Sequence, residues 1–280
     1  LNRGCIPSKM LVHVANTICE IEKSELIGID ASVNDLRWKD IVNRIYGRID
    51  PIAEGGKEYR ANLPNVTVYN GHAKFVDNKV IEVNGVQVSS DKIVIATGAR
   101  PFIPPIPGLS ETSYQTSDSI MRIDSLPKSL SIIGGGYIAT EIAHIFSSFG
   151  CHVNVLARGP RLLRDQDKEI SLRFTESFRS RVDVHLDVDI QNISEDKSDG
   201  VSISCVTPLG DISHSSEILL VATGRTPTAD ELNLDSTDVI TDCGYIVTDE
   251  TMRTNVEDVF ALGDVTNPYQ LKHSANAEAR

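Results

Sequence analysis

Cys5 and Lys9 stand one helical turn apart in the opening stretch Asn-Arg-Gly-Cys-Ile-Pro-Ser-Lys, a thiol and a cation spaced to share a helix face. Pro7 suits a first helical turn, so the thiol would sit at a helix N-terminus. Amide dipoles there favour a thiolate, and Lys9 would add to the field. Cys5 reads equally as a small apolar group buried at a helix start. A second cluster, Gly134-Gly135-Gly136-Tyr137-Ile138-Ala139, matches G-x-G-x-x-G/A. In that pattern Gly134 permits a tight turn, Gly136 lets a pyrophosphate reach the backbone, and Ala139 allows close helix–sheet packing.

The end of the following strand selects between nucleotides. An NAD site wants Asp or Glu about 20 residues past the first glycine. This chain has Val155-Leu156-Ala157-Arg158 there, with Arg161 and Arg164 close behind. Guanidinium forks match a phosphate, so the stretch points to NADPH, its 2′-phosphate taken by arginine. A solvated basic loop is the alternative.

These groups need elements to hold them. Leu11, Val14, Ala15 and Ile18 recur at helical spacing behind Cys5. A second helix over 38–60 carries Ile41, Val42, Ile45, Tyr46 and Ile49 on one stripe, and Pro51 should kink or restart it. From Asn65 the period is two, with Asn84-Gly85 as a type I′ hairpin signal. KIVIATG reads as a strand buried on both faces. The prolines at 101, 104, 105 and 107 cannot join a ladder and read as a stiff linker. A βαβ unit follows: strand 131–133, helix 138–149, strand 152–156, then a helix over 168–181. EILLVATGR repeats the KIVIATGAR pattern, which suggests two related nucleotide-binding domains. A strand ends in Gly263-Asp264, and a last helix begins beyond it.

Composition narrows the classes. A chain of 280 residues with 40% hydrophobic residues and no membrane-length apolar run reads as soluble and globular, with room for two domains. It reads without a secretory leader. The net charge of −12 argues against nucleic acid and anionic membranes as partners. Five dispersed cysteines without metal-ligand spacing suit a reducing cytoplasmic setting, with no metal site.

LNRGCIPSK, KIVIATGARP, GGGYIATE, the arginine loop, LLVATGRTP and FALGDV occur in this order, and the set resembles the flavoprotein disulfide reductases. In that family Cys-x-x-x-x-Cys precedes Ile/Val-Pro-x-Lys, which implies a first cysteine directly before Leu1. DIVNRIYGRIDPIAEGGKEYR, TSDSIMRI and FALGDVTNPYQLKHSANAEAR resemble the branch that reduces mycothione, with glutathione-disulfide and other reductases as the alternative.

The resemblance implies an α/β chain of two Rossmann-like domains, glutathione-reductase-like and truncated at both termini. Residues 1–104 would be a partial FAD-binding domain with the redox helix, 105–225 the NADPH-binding domain, and 226–280 a return to the FAD and central region. Cofactors would be FAD and NADPH, and the assembly a homodimer acting on a small-molecule disulfide. Cys5 would be the thiol against the flavin, Lys9 the lysine near its N5, Glu141 the partner of Lys9, and Tyr137 the lid over the nicotinamide side. Lys9, Gly71, Ala73, Thr97, Gly98, Gly263, Asp264 and Lys272 would line the FAD path. Gly134, Gly135, Gly136, Tyr137, Ile138, Ala139, Glu141, Arg158, Arg164, Gly224 and Arg225 would take NADPH. His144 and His273 lack the His-Pro setting of the family's acid–base histidine and read as ordinary helix residues. The fragment alone would be a non-catalytic NADPH-binding module.

Overall fold

A computed structural model describes residues 2–196 and 200–280. Leu1, which opens the LNRGCIPSK segment, lies outside the described residues. In chain order the elements begin with α1 (Cys5–Glu22), α2 (Trp38–Ala61), β1 (Ala73–Asp77), β2 (Val80–Val83), β3 (Val86–Ser89), β4 (Ile93–Ile95) and β5 (Ala99–Pro101). Then come β6 (Ser129–Ile133), α3 (Tyr137–Ser148), β7 (His152–Leu156), α4 (Lys168–Phe178), β8 (Asp183–His185), β9 (Asp189–Asp196), β10 (Gly200–Thr207), β11 (Gly210–Ser216) and β12 (Ile218–Val221). The chain continues through β13 (Arg225–Pro227), β14 (Thr241–Asp242), β15 (Tyr245–Ile246), β16 (Val259–Ala261) and α5 (Lys272–Glu278).

The chain forms two compact units, one of Leu1–Gly55 with Pro101–Gly224, the other of Gly56–Arg100 with Arg225–Arg280. The segment 1–104 therefore divides between them. The first unit is built on a parallel sheet of order β12-β6-β7-β8, and α3 is the crossover from β6 to β7. Strand pleating gives the sheet two apolar faces. Leu130, Ile132, Val153, Val155 and Leu220 pack against Ala139, Ile142, Ala143 and Phe146 of α3, together with Leu11, Ala15 and Ile18 of α1. Ile133, Leu156, Leu219 and Val221 face the other way, onto Ile193, Val201 and Ile203 of the antiparallel sheet β11-β10-β9. Helix α2 buries Trp38, Ile45, Tyr46 and Ile49 in the helical layer. The Trp38 ring lies 5.9 Å from Phe146 and 5.8 Å from Phe149, and its Nε1 donates to the Ile123 carbonyl at 2.7 Å.

In the second unit β1, β2 and β3 form an antiparallel meander. Its β2–β3 turn has Asn84 at φ 51° and Gly85 at φ 80°, the left-handed pair a type I′ turn requires. Strand β4 pairs in parallel with β16, Ile93 opposite Val259 and Ile95 opposite Ala261. Phe75, Ile93, Ile95, Ile246, Val259, Ala261 and Val265 make the core.

Several sequence expectations need correction. Helix α2 runs unbroken through Pro51 rather than restarting there. Pro51 and Gly47 are both exposed, so water can take the Gly47 carbonyl that loses its amide donor. Residues 66–70 form no strand, and Val66, Val68 and Tyr69 are exposed; alternation alone gives no pairing partner. Strand β4 is not buried on both faces, since Val94 is 59% exposed. Pro101 closes β5 rather than standing outside a ladder, a strand-end place where no amide donor is needed. Helix α4 stops at Phe178 rather than 181.

Candidate functional site

The glycine turn is fixed by its neighbours on the first unit's sheet. Gly134 has φ 137°, and a Cβ there would lie 2.7 Å from the carbonyl carbon of Ala222. Its N–H donates to Leu156 at 3.0 Å, and the Ala222 N–H donates to Ile133 at 2.8 Å, so the turn is stitched to β7 and β12. Gly135 faces Ala157 and Leu162, whose side chains would lie 3.1 and 3.3 Å from an added Cβ. Gly136 differs: a Cβ there would meet nothing within 4 Å. It is the N-cap of α3, and no side chain caps that helix. Thr140 Oγ1 donates backward to the Gly136 and Tyr137 carbonyls, at 3.2 and 3.1 Å. Helix α3 thus begins without a capping side chain, beside an open glycine, which fits a phosphate group.

Beyond β7 the chain makes the arginine loop. Ala157 donates to the His185 carbonyl at 2.9 Å and accepts from Val188 at 3.1 Å. Leu163, in the left-handed region at φ 50°, donates to Gly135 at 2.7 Å and hooks the loop onto the glycine turn. No acid occupies the ribose position; buried Ala157 does. Arg158 is exposed and makes no hydrogen bond or ion pair among the described residues. Arg164 is exposed with its Nε 3.6 Å from Asp165. Arg161 takes another part: its Nη2 donates to the Arg164 carbonyl at 2.9 Å, while its Nε is buried without a partner. An unpaired cationic donor in this loop is the chemistry an added phosphate would satisfy. Sequence reasoning grouped Arg161 with its neighbours and missed this brace.

Cys5 is the first residue of α1 and is exposed. The N-cap is Gly4 and the first turn carries no acid, so the helix end presents positive potential to the sulfur without local opposition. Lys9, one turn on, ion-pairs with Glu141 of α3. The same two helices meet again where His144 Nε2 and Asn16 Oδ1 lie 2.8 Å apart, and where Cys19 Sγ and Ser148 Oγ lie 3.3 Å apart. Burial first, and then Arg181, hold the His144 pKa below its ordinary value, so its bond to Asn16 is made by a neutral ring. Tyr137 opens α3 and is 51% exposed, whereas Ala139 is fully buried and Ile138 partly so. The thiol helix is therefore joined to the nucleotide-turn helix by a row of polar contacts that residue spacing could not reveal.

The remaining site candidates lie in the second unit, apart from Gly224. Thr97-Gly98 and Gly263-Asp264 follow the paired strands β4 and β16 and sit side by side at their carboxyl ends, where open α/β sheets bind ligands. Gly98 and Gly263 have φ 75° and 80°. The Gly98 carbonyl accepts from the Thr228 amide at 3.0 Å and hydroxyl at 2.9 Å. The Gly263 N–H donates to Glu278 at 2.6 Å. Gly71 owes its missing side chain to Asn84, whose Oδ1 would lie 2.6 Å from a Cβ, and Ala73 sits in the β1–β2 ladder opposite Val83. Lys272 donates to Asn276 within α5, the helix that also carries exposed His273. Gly224 accepts from Phe102 at 2.9 Å, and Arg225 donates to the Ala99 carbonyl. No group of three or more metal-ligating side chains occurs among the described residues, nor is any helix long and apolar enough to cross a membrane.

Residues 1–279 match the family model described as pyridine nucleotide-disulphide oxidoreductase. The chain is 40% identical over 286 residues to mycothione reductase of Mycobacterium tuberculosis, an alignment that takes in 100% of this chain and 61% of that protein. It is 34% identical to a mercuric reductase of Shigella flexneri, covering 99% of this chain and 50% of that one. It also resembles the solved structure of a HOCl-induced flavoprotein disulfide reductase from Escherichia coli, with TM-score 0.84 and 27% identity over 99% of this chain and 60% of that one. The chain thus spans about three fifths of the length of the mycothione reductase it matches.

Proposed function

The chain belongs to the pyridine nucleotide-disulphide oxidoreductase family, and from that premise we propose that it carries the redox thiol and nucleotide site of an NADPH-dependent flavoprotein reductase of mycothione. The observation that carries this reading is the Lys9–Glu141 pair. It ties the helix that opens on Cys5 to the helix that opens on the glycine turn.

NADPH rather than NADH is supported by the loop after β7, where Ala157 replaces the ribose acid, Arg158 and Arg164 are exposed, and Arg161 keeps an unpaired donor. Gly134, Gly135, Gly136 and the first amides of α3 would hold the pyrophosphate. Lys9, Thr97, Gly98, Gly263, Asp264 and Lys272 would contribute to holding FAD, and the strand-end glycines of β4 and β16 fit that task. Gly71 and Ala73 have a structural explanation in the β1–β2–β3 meander, through Asn84 and Val83. FAD, when bound, supplies two-electron transfer between the nucleotide and a disulfide.

The chain's own residues do the rest. Two electrons entering the disulfide of Cys5 and its partner break the S–S bond and leave two thiolates. The partner is the cysteine that the family resemblance places directly before Leu1. The end of α1 and the Lys9 ammonium stabilise the negative charge on Cys5. The partner thiolate attacks one sulfur of the substrate disulfide and displaces one thiolate. Cys5 then attacks the mixed disulfide and releases the second thiol, restoring the original bond. In sum NADPH, a proton and one disulfide give NADP⁺ and two thiols. Tyr137, exposed at the start of α3, would cover the nicotinamide. A cytoplasmic homodimer is the setting proposed for the whole protein.

Mycothione as substrate is supported by the 40% identity to a mycothione reductase, against 34% to a mercuric reductase and 32% to a dihydrolipoyl dehydrogenase of Haloarcula marismortui. The test is turnover of the FAD-loaded protein with mycothione, glutathione disulfide and lipoamide, each with NADPH and with NADH. Fastest turnover of mycothione with NADPH is expected. Preference for lipoamide with NADH would overturn both the nucleotide and the substrate assignment.

A further inference from the structure

The loop that carries Arg158, Arg161 and Arg164 is not held by its internal bonds alone. Its middle residue, Leu162, is fully buried, so its backbone N–H and C=O need partners away from water. Both partners are hydroxyls of α4. The Leu162 N–H donates to Thr175 Oγ1 at 3.0 Å. Its carbonyl accepts from Ser171 Oγ at 2.5 Å. Thr175 Oγ1 in turn donates to the Ser171 carbonyl at 2.7 Å, so its proton and a lone pair are both engaged. Ser171 and Thr175 are 0% and 5% exposed and four residues apart, hence on one face of α4. That helix is anchored at its start, where Asp167 Oδ1 accepts from the Glu169 and Ile170 amides at 2.9 and 3.1 Å.

We propose that Ser171 and Thr175 are positioning residues for recognition of the nucleotide's 2′-phosphate: they clamp Leu162 in both backbone directions and so hold the arginine loop against the glycine turn. This rests on the NADPH reading above. The line of contacts runs from the two hydroxyls to Leu162, from Leu162 to the left-handed Leu163, and from the Leu163 N–H to Gly135 at 2.7 Å. Arg158 and Arg164 lie on either side of that anchored pair. Deleting a hydroxyl leaves a buried backbone donor or acceptor without a partner. The loop must then open to water, which moves the guanidinium groups while leaving Gly134 on its bond to Leu156 and Gly136 on its bonds to Thr140 of α3. The consequence is selective: discrimination for the 2′-phosphate falls, and affinity for the rest of the nucleotide stays.

The experiment is calorimetric binding of adenosine 2′,5′-diphosphate and adenosine 5′-diphosphate to this chain and to Thr175→Val, Ser171→Ala and Thr175→Ser. Wild type should favour the 2′,5′ compound. Thr175→Val and Ser171→Ala should each lose at least tenfold of that preference, with 5′-diphosphate affinity within twofold of wild type. Thr175→Ser, which keeps the hydroxyl, should retain it. If Thr175→Val does not fold, Ser171→Ala carries the same expectation. An unchanged preference in the folded variants, beside a selective wild type, overturns the clamp alone. A wild type that binds both compounds equally overturns the NADPH reading and this role with it.

Discussion

Two glycines two residues apart should respond oppositely to the same methyl group. In Gly134→Ala the new Cβ would meet the Ala222 carbonyl carbon at 2.7 Å, on a backbone at φ 137°. Holding alanine in that conformation costs about 1–3 kcal/mol. The obstacle is backbone of the strand end, so relief must loosen the Ala222-to-Ile133 or Gly134-to-Leu156 bond, at 2.8 and 3.0 Å. Each such bond contributes about 0.5–1.5 kcal/mol. The sum is roughly 1.5–4.5 kcal/mol, and at about 2–4 °C per kcal/mol for a chain of this size the Tm should fall by about 3–18 °C. Gly136→Ala has φ −85° and open space around its Cβ. Its cost is the preference of an N-cap for glycine over alanine, at most about 1 kcal/mol. Yet that open space is where the nucleotide phosphates would approach, so the variant should melt near wild type and bind NADPH at least tenfold more weakly. Differential scanning calorimetry with nucleotide titration reads both. An unchanged Tm for Gly134→Ala, or full NADPH affinity for Gly136→Ala, would refute the division of labour.

Arg158→Ala and Arg164→Ala should each weaken NADPH by about 1.5–3 kcal/mol for the charged hydrogen bond lost and leave NADH unchanged; an unaltered NADPH/NADH ratio counts against the phosphate role. At pH 8, native-state alkylation of the reduced protein followed by mass spectrometry should label exposed Cys5 and Cys243 and spare Cys151 and Cys205, whose thiols burial pushes up to about 12 and about 11; rapid labelling of the buried pair would contradict their placement. The His185 and His214 rings lie with centroids 4.2 Å apart, tilted at 53°, and burial holds both below the ordinary value of 6.5. The folded state thus binds fewer protons than the unfolded one, so stability is present above pH 6.5 and falls as the pH drops below it. Urea melts from pH 7.5 to 5.5 should show this decline, smaller in His214→Phe; a gain in stability on acidification would reverse the sign.

The parts of the fold that announce themselves in sequence are those with local causes. Asn84-Gly85 specifies its turn because only such residues take two successive left-handed conformations cheaply. Residues 152–156 read as a strand because Val153, Val155 and Leu156 follow the helix end at Gly150 and precede the arginine loop, in the setting of a βαβ unit. The glycine turn was legible through its setting between strand and helix. What stayed hidden depends on contacts distant in sequence. Ser171 and Thr175 look like ordinary polar residues of an amphipathic helix until Leu162 is seen beneath them. Asn16 and His144 are 128 residues apart and carry no pattern that links them. Val94 sits in an apolar run that reads as doubly buried, yet only its neighbours Ile93 and Ile95 turn inward. The role of Cys5 came from resemblance rather than spacing, since one thiol at a helix start has too many uses.

The central claim is that electrons from NADPH reach a disulfide at Cys5. It is tested most directly by anaerobic addition of one equivalent of NADPH to the FAD-loaded protein, with thiol alkylation before and after and mass spectrometry of the Cys5 peptide. The account predicts that Cys5 is blocked before addition and alkylated in proportion to NADPH consumed, and that Cys5→Ser consumes NADPH without catalytic turnover of the substrate disulfide. Cys5 labelling independent of NADPH, or disulfide turnover by Cys5→Ser at the wild-type rate, would contradict it.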